Sequence, residues 1–115
     1  MNNICVKLKE LCVDVDGTVT RLGGNELLYL AICHKFLQDR NFHLLQDALI
    51  TDDLKMAEIY IHTLKGVAAN LGFIRLEQIC RSMLEMVHQL NVLNIKQSFI
   101  ELSEEYHKII SALSN

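Results

Sequence analysis

Apolar side chains recur every three or four residues along the second half of the chain, which is the spacing of amphipathic helices. The stripe over residues 54–71 comprises Leu54, Ala57, Ile61, Leu64, Ala68 and Leu71. Similar stripes cover residues 76–90 and 95–113, and short breaks at Gly72 and residues 91–94 separate the three segments. Breaks this short join antiparallel neighbours, so the pattern predicts helices packed side by side.

The first half of the chain predicts further helices. The segment NELLYLAICHKFLQD follows Gly23 and Gly24, and Asn25 is placed to cap it. A shorter helix is expected over FHLLQDALI, ending near Thr51 and Asp52, either of which could cap the helix that follows. The segment ICVKLKELC is expected to add one or two N-terminal turns.

These elements predict an all-α fold, an antiparallel up-down-up-down four-helix bundle with short additional N-terminal helical segments. The length of 115 residues fits one domain, and the chain has 50% hydrophobic residues, 22% charged residues and no proline. Within a single domain of residues 1–115, we expect residues 1–24 to form a lead-in and residues 25–115 to form the bundle.

The charge and hydropathy of the chain exclude two classes of partner. The net charge is -3, and acidic and basic residues are mixed, so no basic stripe is available for a nucleic acid. No apolar run approaches the roughly 20 residues of a membrane span, and the N-terminus lacks the apolar segment of a signal peptide. We therefore expect a cytoplasmic chain without nucleic-acid or membrane contacts.

The four cysteines are scattered along the chain and have apolar neighbours; they are Cys5, Cys12, Cys33 and Cys80. No close pair has the spacing of a zinc site, and an even count alone does not predict disulfides. We expect reduced, buried, structural thiols, because cysteine is among the most often buried residue types.

One histidine lies off the apolar stripe of its helix. On a helix over about residues 53–71, the stripe centred on Ile61 and Leu64 faces the bundle, so His62 points to solvent. Its neighbours one or two turns away are Glu58, Lys65, Gly66 and Ala69. A cation and two small residues therefore surround the imidazole, which a large partner could reach.

This arrangement suits phosphoryl chemistry. A neutral imidazole is a nucleophile toward phosphorus, and Lys65 can offset the negative charge of a phosphoryl group on His62. Gly66 costs about 0.5 to 1 kcal/mol relative to alanine inside a helix, and close approach of a partner would explain it. An interpretation without a functional role remains open, in which His62 and Lys65 are ordinary surface residues and Gly66 allows close helix packing.

The segment HTLKGVAANLG resembles the signature of histidine-containing phosphotransfer domains, the relay modules of multistep two-component signalling. The resemblance covers His62, Leu64, Lys65, Gly66, Ala68, Leu71 and Gly72, and Leu76 falls where the family has its next core leucine. Residues 13–36 resemble the lead-in helix of the same family, including Arg21, Gly23, Gly24, Asn25, Leu28, Tyr29 and Phe36.

The resemblance implies a four-helix bundle in which His62 is phosphorylated and Lys65 stabilises the phosphoryl charge. The surface covered by a receiver domain would comprise Glu58, Ile59, Gly66, Ala69, Leu84 and Glu85. Two positions depart from the family pattern: Val67 replaces a small residue, often serine, and Leu84 replaces a polar residue that faces the histidine in many members, although Glu85 lies next to it.

By this likeness the chain relays a phosphoryl group between receiver-domain aspartates through phosphohistidine. Its partners would be response-regulator receiver domains, including those of a hybrid sensor histidine kinase. The receiver supplies the acidic pocket and magnesium, so this chain is expected to need no cofactor or metal. We expect a monomeric carrier, not an enzyme, without kinase or ATPase activity, since no Gly-rich phosphate loop is present.

Two other motifs suggest enzymes. The segment VDVDGT, residues 13–18, resembles the first motif of haloacid-dehalogenase-type phosphohydrolases, but that chemistry needs strands and magnesium, and no βαβ pattern is present. We expect Asp14, Asp16 and Gly17 to form a turn and cap instead. The Glu-x-x-His pairs of EMVH and EEYH have the spacing of di-iron bundles, but they are out of phase with the apolar stripes of their helices.

A third alternative is a helical interaction module whose His62 surface docks a partner without phosphoryl chemistry, because a fold does not determine a function.

Overall fold

The computed structural model describes residues 2–114, which form helices without any strand. In chain order the helices are α1 (Asn3–Glu10), α2 (Val15–Arg21), α3 (Glu26–Phe36), α4 (Asn41–Ile50), α5 (Leu54–Leu71), α6 (Ile74–His88) and α7 (Val92–Leu113). The all-α prediction is confirmed.

Helices α4 to α7 form the bundle. Helix α5 packs most extensively against α6 and α4, and α6 also packs against α7. Between α4 and α7, the ring of Phe42 stacks on that of Tyr106 with a centroid distance of 4.0 Å, and on that of Phe99 at 5.2 Å. The core between these helices is built from the predicted stripes, with Ile61 and Leu102 fully buried. Helix α4 packs along α5 far more extensively than α3 does, although α3 also contacts α5.

Contacts across the bundle give the direction of two helix pairs. His88 at the end of α6 lies 3.1 Å from Glu58 near the start of α5. Ser98 near the start of α7 donates a hydrogen bond of 3.3 Å to the sulfur of Met86 near the end of α6. Helices α5 and α6 are therefore antiparallel, and so are α6 and α7. The complete up-down-up-down order remains a prediction.

The N-terminal helices cover the end of the bundle where α5 turns into α6. The hydroxyl of Tyr29 on α3 donates to the carbonyl of Leu71 at 3.0 Å. The backbone nitrogen of Asp14, which caps α2, donates to the carbonyl of Gly72 at 2.9 Å. Helix α1 packs on α7 and buries Ile4 and Leu8.

One of the two helix caps predicted from the sequence is found at the expected residue, and the other is not. Asn25 caps α3 by accepting a hydrogen bond of 2.9 Å from the Leu28 nitrogen, as predicted. The cap of α5 was wrongly expected at Thr51 or Asp52, because Asp53 accepts from the Met56 nitrogen at 3.1 Å. Asp52 instead has a φ of 53°, in the left-handed conformation that ends the preceding helix.

Two further expectations need correction. The segment after Cys12 contains the helix α2, where the sequence predicted only a turn and a cap, although Asp14 does cap that helix with a 3.0 Å bond from the Gly17 nitrogen. Cys5, Cys33 and Cys80 are buried as expected, but Cys12 is exposed. Cys12 follows α1 with a φ of 62°, and this left-handed turn directs its side chain away from the core.

None of the helices within residues 2–114 has the length and apolar character required to cross a membrane.

Candidate functional site

Helix α5 separates a buried face from an exposed one. Ala57, Ile61, Leu64 and Ala68 are fully buried at helical spacing and face the bundle. On the opposite side, Ile59, His62, Gly66 and Ala69 are all exposed and follow one another at steps of three and four residues. The period of 3.6 residues per turn therefore places them on one continuous face.

His62 differs from the other histidines in its contacts rather than in its exposure. All five histidines are exposed, namely His34, His43, His62, His88 and His107. The ring of His34 is bonded to the Leu30 carbonyl at 2.8 Å, and that of His107 to the Ser103 carbonyl at 2.7 Å. His88 pairs with Glu58, and the ring of His43 lies 6.0 Å from that of Tyr106. Within residues 2–114, His62 alone makes no side-chain contact of these kinds, so its ring nitrogens are available.

Gly66 lies one turn after His62 on the exposed face. A Cβ atom built at Gly66 would meet no atom within 4 Å outside its own helix backbone. No neighbouring helix comes close to it, so the interpretation of Gly66 as a helix-packing residue is wrong. Its missing side chain leaves open surface beside the imidazole.

Lys65 lies between the exposed face and helix α6. It is half-buried, and its ammonium is near enough to α6 to affect Cys80. Burial, with a smaller contribution from Glu77, raises the pKa of the Cys80 thiol to about 12, and Lys65 opposes the rise. In the described part of the chain Lys65 has no ion pair, whereas Arg81 pairs with Glu77. Lys65 therefore keeps an uncompensated charge one turn from His62.

The pairing of Glu58 with His88 sets the register between α5 and α6. One turn further along the antiparallel pair, His62 on α5 comes level with Leu84 on α6. Leu84 is partly buried and packs against the core, so an apolar side chain occupies the position that is polar in many family members. Glu85, beside it, is exposed.

The predicted site residues thus form two rows. Ile59, whose side chain is 49% exposed, Gly66 and Ala69 lie with His62 on α5, and Leu84 and Glu85 lie on α6. Glu58 is half-buried and bridges the two helices through His88. Val67 is partly buried against the core, so this departure from the family pattern lies off the exposed face.

The contact of His88 with Glu58 was not predicted from the sequence. The sequence does contain information on this contact. If the apolar stripes of α5 and α6 are aligned as antiparallel partners across the short turn at Gly72, residue 88 lies opposite residue 58. That alignment could have been made only by assuming that the two helices are antiparallel partners.

The residues of the two enzyme-like motifs do not occupy the positions that the corresponding enzymes would require. Asp14 caps α2, and Asp16 forms an ion pair of 3.1 Å with Lys9, on a helical segment rather than a strand. Glu85, His88, Glu104 and His107 are all exposed, as their phase predicted. In residues 2–114 no cluster of three or more histidine, cysteine or acidic side chains is arranged to hold a metal ion.

The fold and site together define a class of protein: a helical bundle that presents one unpaired histidine, with a lysine and an open glycine beside it, on a solvent-exposed helix. A family model described as the Hpt domain matches residues 33–115, which contain every residue of this site. The chain belongs to the Hpt domain family. Comparisons with curated proteins and with solved structures gave no significant match.

Membership of this family implies phosphotransfer in two-component signalling. Hpt domains are phosphocarriers without intrinsic catalytic activity, and they interact with receiver domains of response regulators or hybrid kinases. The match begins at residue 33, so the resemblance seen between Arg21 and Tyr29 lies outside it.

Proposed function

We propose that this chain accepts a phosphoryl group on His62 from the aspartyl phosphate of one receiver domain and passes it to the aspartate of another. The observation that carries the proposal is the state of His62, the one histidine of the five whose ring has no hydrogen bond, ion pair or aromatic contact in the described structure. The rings of His34, His88 and His107 would have to break a hydrogen bond or ion pair before reacting, whereas the nitrogens of His62 are free to attack phosphorus.

The transfer balances as a nucleophilic displacement at phosphorus. A ring nitrogen of neutral His62 forms the phosphorus–nitrogen bond while the bond between phosphorus and the aspartyl oxygen breaks, and the aspartate leaves as a carboxylate. The reverse step returns the phosphoryl group to a second aspartate. Lys65 lies one turn away and offsets the phosphoryl charge, so catalysis is mainly positioning and charge neutralisation.

The docking surface is proposed to follow the two rows of residues around His62. Ile59, Gly66 and Ala69 offer apolar and open surface on α5, which allows a receiver domain to bring its aspartate to the ring. Leu84 and Glu85 extend the surface onto α6. The 3.1 Å contact between His88 and Glu58 links the two helices beside this surface.

The proposal includes the remaining expectations from the sequence. The chain is a monomeric carrier without kinase or ATPase activity, and magnesium belongs to the receiver partner. Its location is the cytoplasm, which cell fractionation tests. Analytical ultracentrifugation tests the monomer, and incubation with ATP and magnesium alone should give no labelled chain.

The first test is phosphorylation of the chain by a phosphorylated receiver domain in the presence of magnesium. We expect phosphate on the wild type that is labile in acid and stable in base, as a phosphorus–nitrogen bond requires. His62→Gln should accept none and keep the same thermal unfolding midpoint, because an exposed side chain contributes little to the core. His34→Gln is the matched control, an exposed histidine on another helix, and should be labelled like the wild type.

Two results would contradict the proposal. Equal labelling of His62→Gln would remove His62 from its role. No labelling of the wild type by any of several receivers, together with measurable binding to them, would favour the interaction module without phosphoryl chemistry.

A further inference from the structure

A groove runs between α6 and α7, on the side of α6 that faces away from the His62 surface. Its cavity volume is about 560 Å³, within the range of roughly 300 to 1,000 Å³ found for small-molecule sites. The charged residues along its walls are Arg75, Glu101, Glu104, Glu105 and Lys108, and Ser82 is among the uncharged polar ones. The relay function assigns no role to any of them.

Glu105 is the most unusual of these residues. It is only 6% exposed, which makes it the one buried acidic residue in the described chain. No hydrogen bond or ion pair to its side chain occurs within residues 2–114. No fully enclosed side-chain oxygen in that range lacks a partner, so the Glu105 carboxylate must open onto the groove that it lines.

The Glu105 side chain is largely enclosed, so its carboxylate meets solvent on the groove side, and no hydrogen bond or ion pair within the described chain replaces the hydration lost elsewhere. Some carboxylates at the surface do have a partner, as Asp52 has in Lys96 at 2.8 Å. In the groove, neither Arg75 nor Lys108 lies within ion-pair distance of Glu105. The carboxylate is therefore preorganised for a cation from outside the chain.

The arrangement of charges along the groove restricts the ligand. The contact between Ser98 and Met86 sets the register of α6 and α7, and it places Arg75 near Lys108 at one end and Ser82 near Glu101 toward the middle. A long polycation would meet the two basic residues at that end and be repelled. A single positive charge can instead sit between Glu101 and Glu105, with the Ser82 hydroxyl available as an acceptor.

We propose that this groove binds a compact organic monocation, an ammonium or guanidinium group, with the Glu105 carboxylate as its anchor. A charge-assisted hydrogen bond to a carboxylate that lies in a groove, partly screened from bulk water, is stronger than one to a fully exposed carboxylate. A metal ion is not the class that fits, since no cluster of three ligating side chains is formed in the described chain. The cation could be a free small molecule or a basic side chain of a partner.

The test is an NMR titration of the isotope-labelled chain with n-butylguanidinium and n-butylammonium, and with neutral n-butylurea for comparison. We expect saturable shifts of backbone amides along the groove with the two cations, and none with the urea. A capped Gly-Arg-Gly peptide separates the two sources: tighter binding of the peptide identifies a partner's side chain, and equal or weaker binding identifies a free cation.

Glu105→Gln removes the charge with almost no change in shape and should weaken cation binding about tenfold or more. Asp47→Asn makes the same change at an exposed site on α4 and should bind like the wild type. Circular dichroism checks that both variants are folded, and a thermal shift of the wild type by n-butylguanidinium but not by n-butylurea provides a readout that needs no variant.

No saturable shift with either cation would overturn the proposal, as would equal binding by Glu105→Gln or by n-butylurea. The outcome is independent of the relay, because Glu105→Gln is expected to accept phosphate from a receiver domain like the wild type.

Discussion

His62 illustrates why exposure alone does not identify a reactive side chain. The sequence placed it correctly off the apolar stripe, but the other four histidines are exposed as well. What distinguishes His62 is that nothing in the described structure engages its ring, while His88, one turn beyond Leu84 on α6, is held by Glu58. For His88 the difference depends on a neighbour from another helix, which no local pattern in the sequence reports, whereas His34 and His107 bond to carbonyl groups of their own helices.

Replacement of Gly66 tests the close-approach role of the surface beside His62. In Gly66→Gln, the new side chain would extend over open surface next to the imidazole, so the rate of phosphoryl transfer from a receiver should fall by about tenfold or more. The helix should be more stable by about 0.5 to 1 kcal/mol, because glycine is the poorer helix former. Phosphoryl-transfer assays quenched at fixed times, at matched protein concentration, measure the rate, and thermal unfolding measures the stability.

Ala31→Gln on α3 is the control for Gly66→Gln, since it adds the same side chain at an exposed helical site away from His62. If Gly66→Gln transferred phosphate at the wild-type rate, the docking surface would not include this position.

The four cysteines should differ in reactivity according to burial. Burial raises the pKa of Cys33 to about 11 and that of Cys80 to about 12, and it also raises the pKa of Cys5. The thiolate is the reactive form, so these three should react slowly near pH 8, while exposed Cys12 reacts quickly. A colorimetric thiol assay should show one fast thiol in the native protein and four after denaturation.

Cys12→Ser should remove the fast phase of that thiol assay and leave the slow phase unchanged. A fast phase that persisted in this variant would mean that one of the three core cysteines is reached by solvent.

At the scale of elements, α5 is defined by two signals of different kinds. Its apolar stripe predicted both the helix and its buried face, and its C-terminal glycine, Gly72, has a left-handed φ of 79° as such positions require. Its N-terminus was misplaced by one or two residues, because Thr51, Asp52 and Asp53 are all chemically able to cap. The preceding helix decided among them, since its last turn uses Asp52 in a left-handed conformation.

The cap of the histidine-bearing helix should contribute measurably to stability. Asp53→Ala removes the carboxylate that accepts a hydrogen bond from the Met56 nitrogen, and we expect a loss of about 1 kcal/mol in the free energy of unfolding. His62 lies more than two turns away, so phosphoryl transfer should be unchanged under conditions where the variant is folded.

Urea denaturation followed by circular dichroism measures the loss, and Asp47→Ala, at an exposed acidic position on α4, is the control for removal of the charge. An equal effect of the two substitutions would assign the loss to net charge rather than to capping.

At the scale of the whole molecule, the N-terminal helices are joined to the bundle at one turn. A Cβ atom at Gly72 would lie 2.6 Å from both the Asp14 carbonyl oxygen and the Thr18 hydroxyl oxygen of the α2 region. The same turn accepts the hydrogen bond from Asp14, and Tyr29 bonds to the residue before it. Gly72 is thus needed both for its left-handed backbone and for the close approach of another segment.

Alanine substitutions at Gly72 and Gly66 should change the free energy of unfolding in opposite directions. Gly72→Ala combines a left-handed strain of about 1 to 2 kcal/mol with a steric clash, so it should lower the free energy of unfolding by about 2 kcal/mol or more. Gly66→Ala, in open space within a helix, should raise that free energy by about 0.5 to 1 kcal/mol. Chemical denaturation of both variants measures the difference, and a neutral Gly72→Ala would mean that the N-terminal helices move apart from the bundle without cost.

Much of the architecture was predictable because helical periodicity is a local property. The buried faces of α5, α6 and α7, the solvent-facing position of His62 and the cap at Asn25 all depend on residues within one or two turns of each other. Helix α2 was missed for the same reason, since VDVDGTVTR carries too few apolar repeats to distinguish a short helix from a turn.

The sequence by itself determined which faces of the helices are apolar and which residues surround His62 along α5, because 3.6 residues per turn relate these positions within one segment. Only the tertiary structure decided that α4 pairs with α5 and stacks on α7, that His88 meets Glu58, and that Glu105 is buried without a partner. Those facts depend on which helices come together, and packing between distant segments sets that choice.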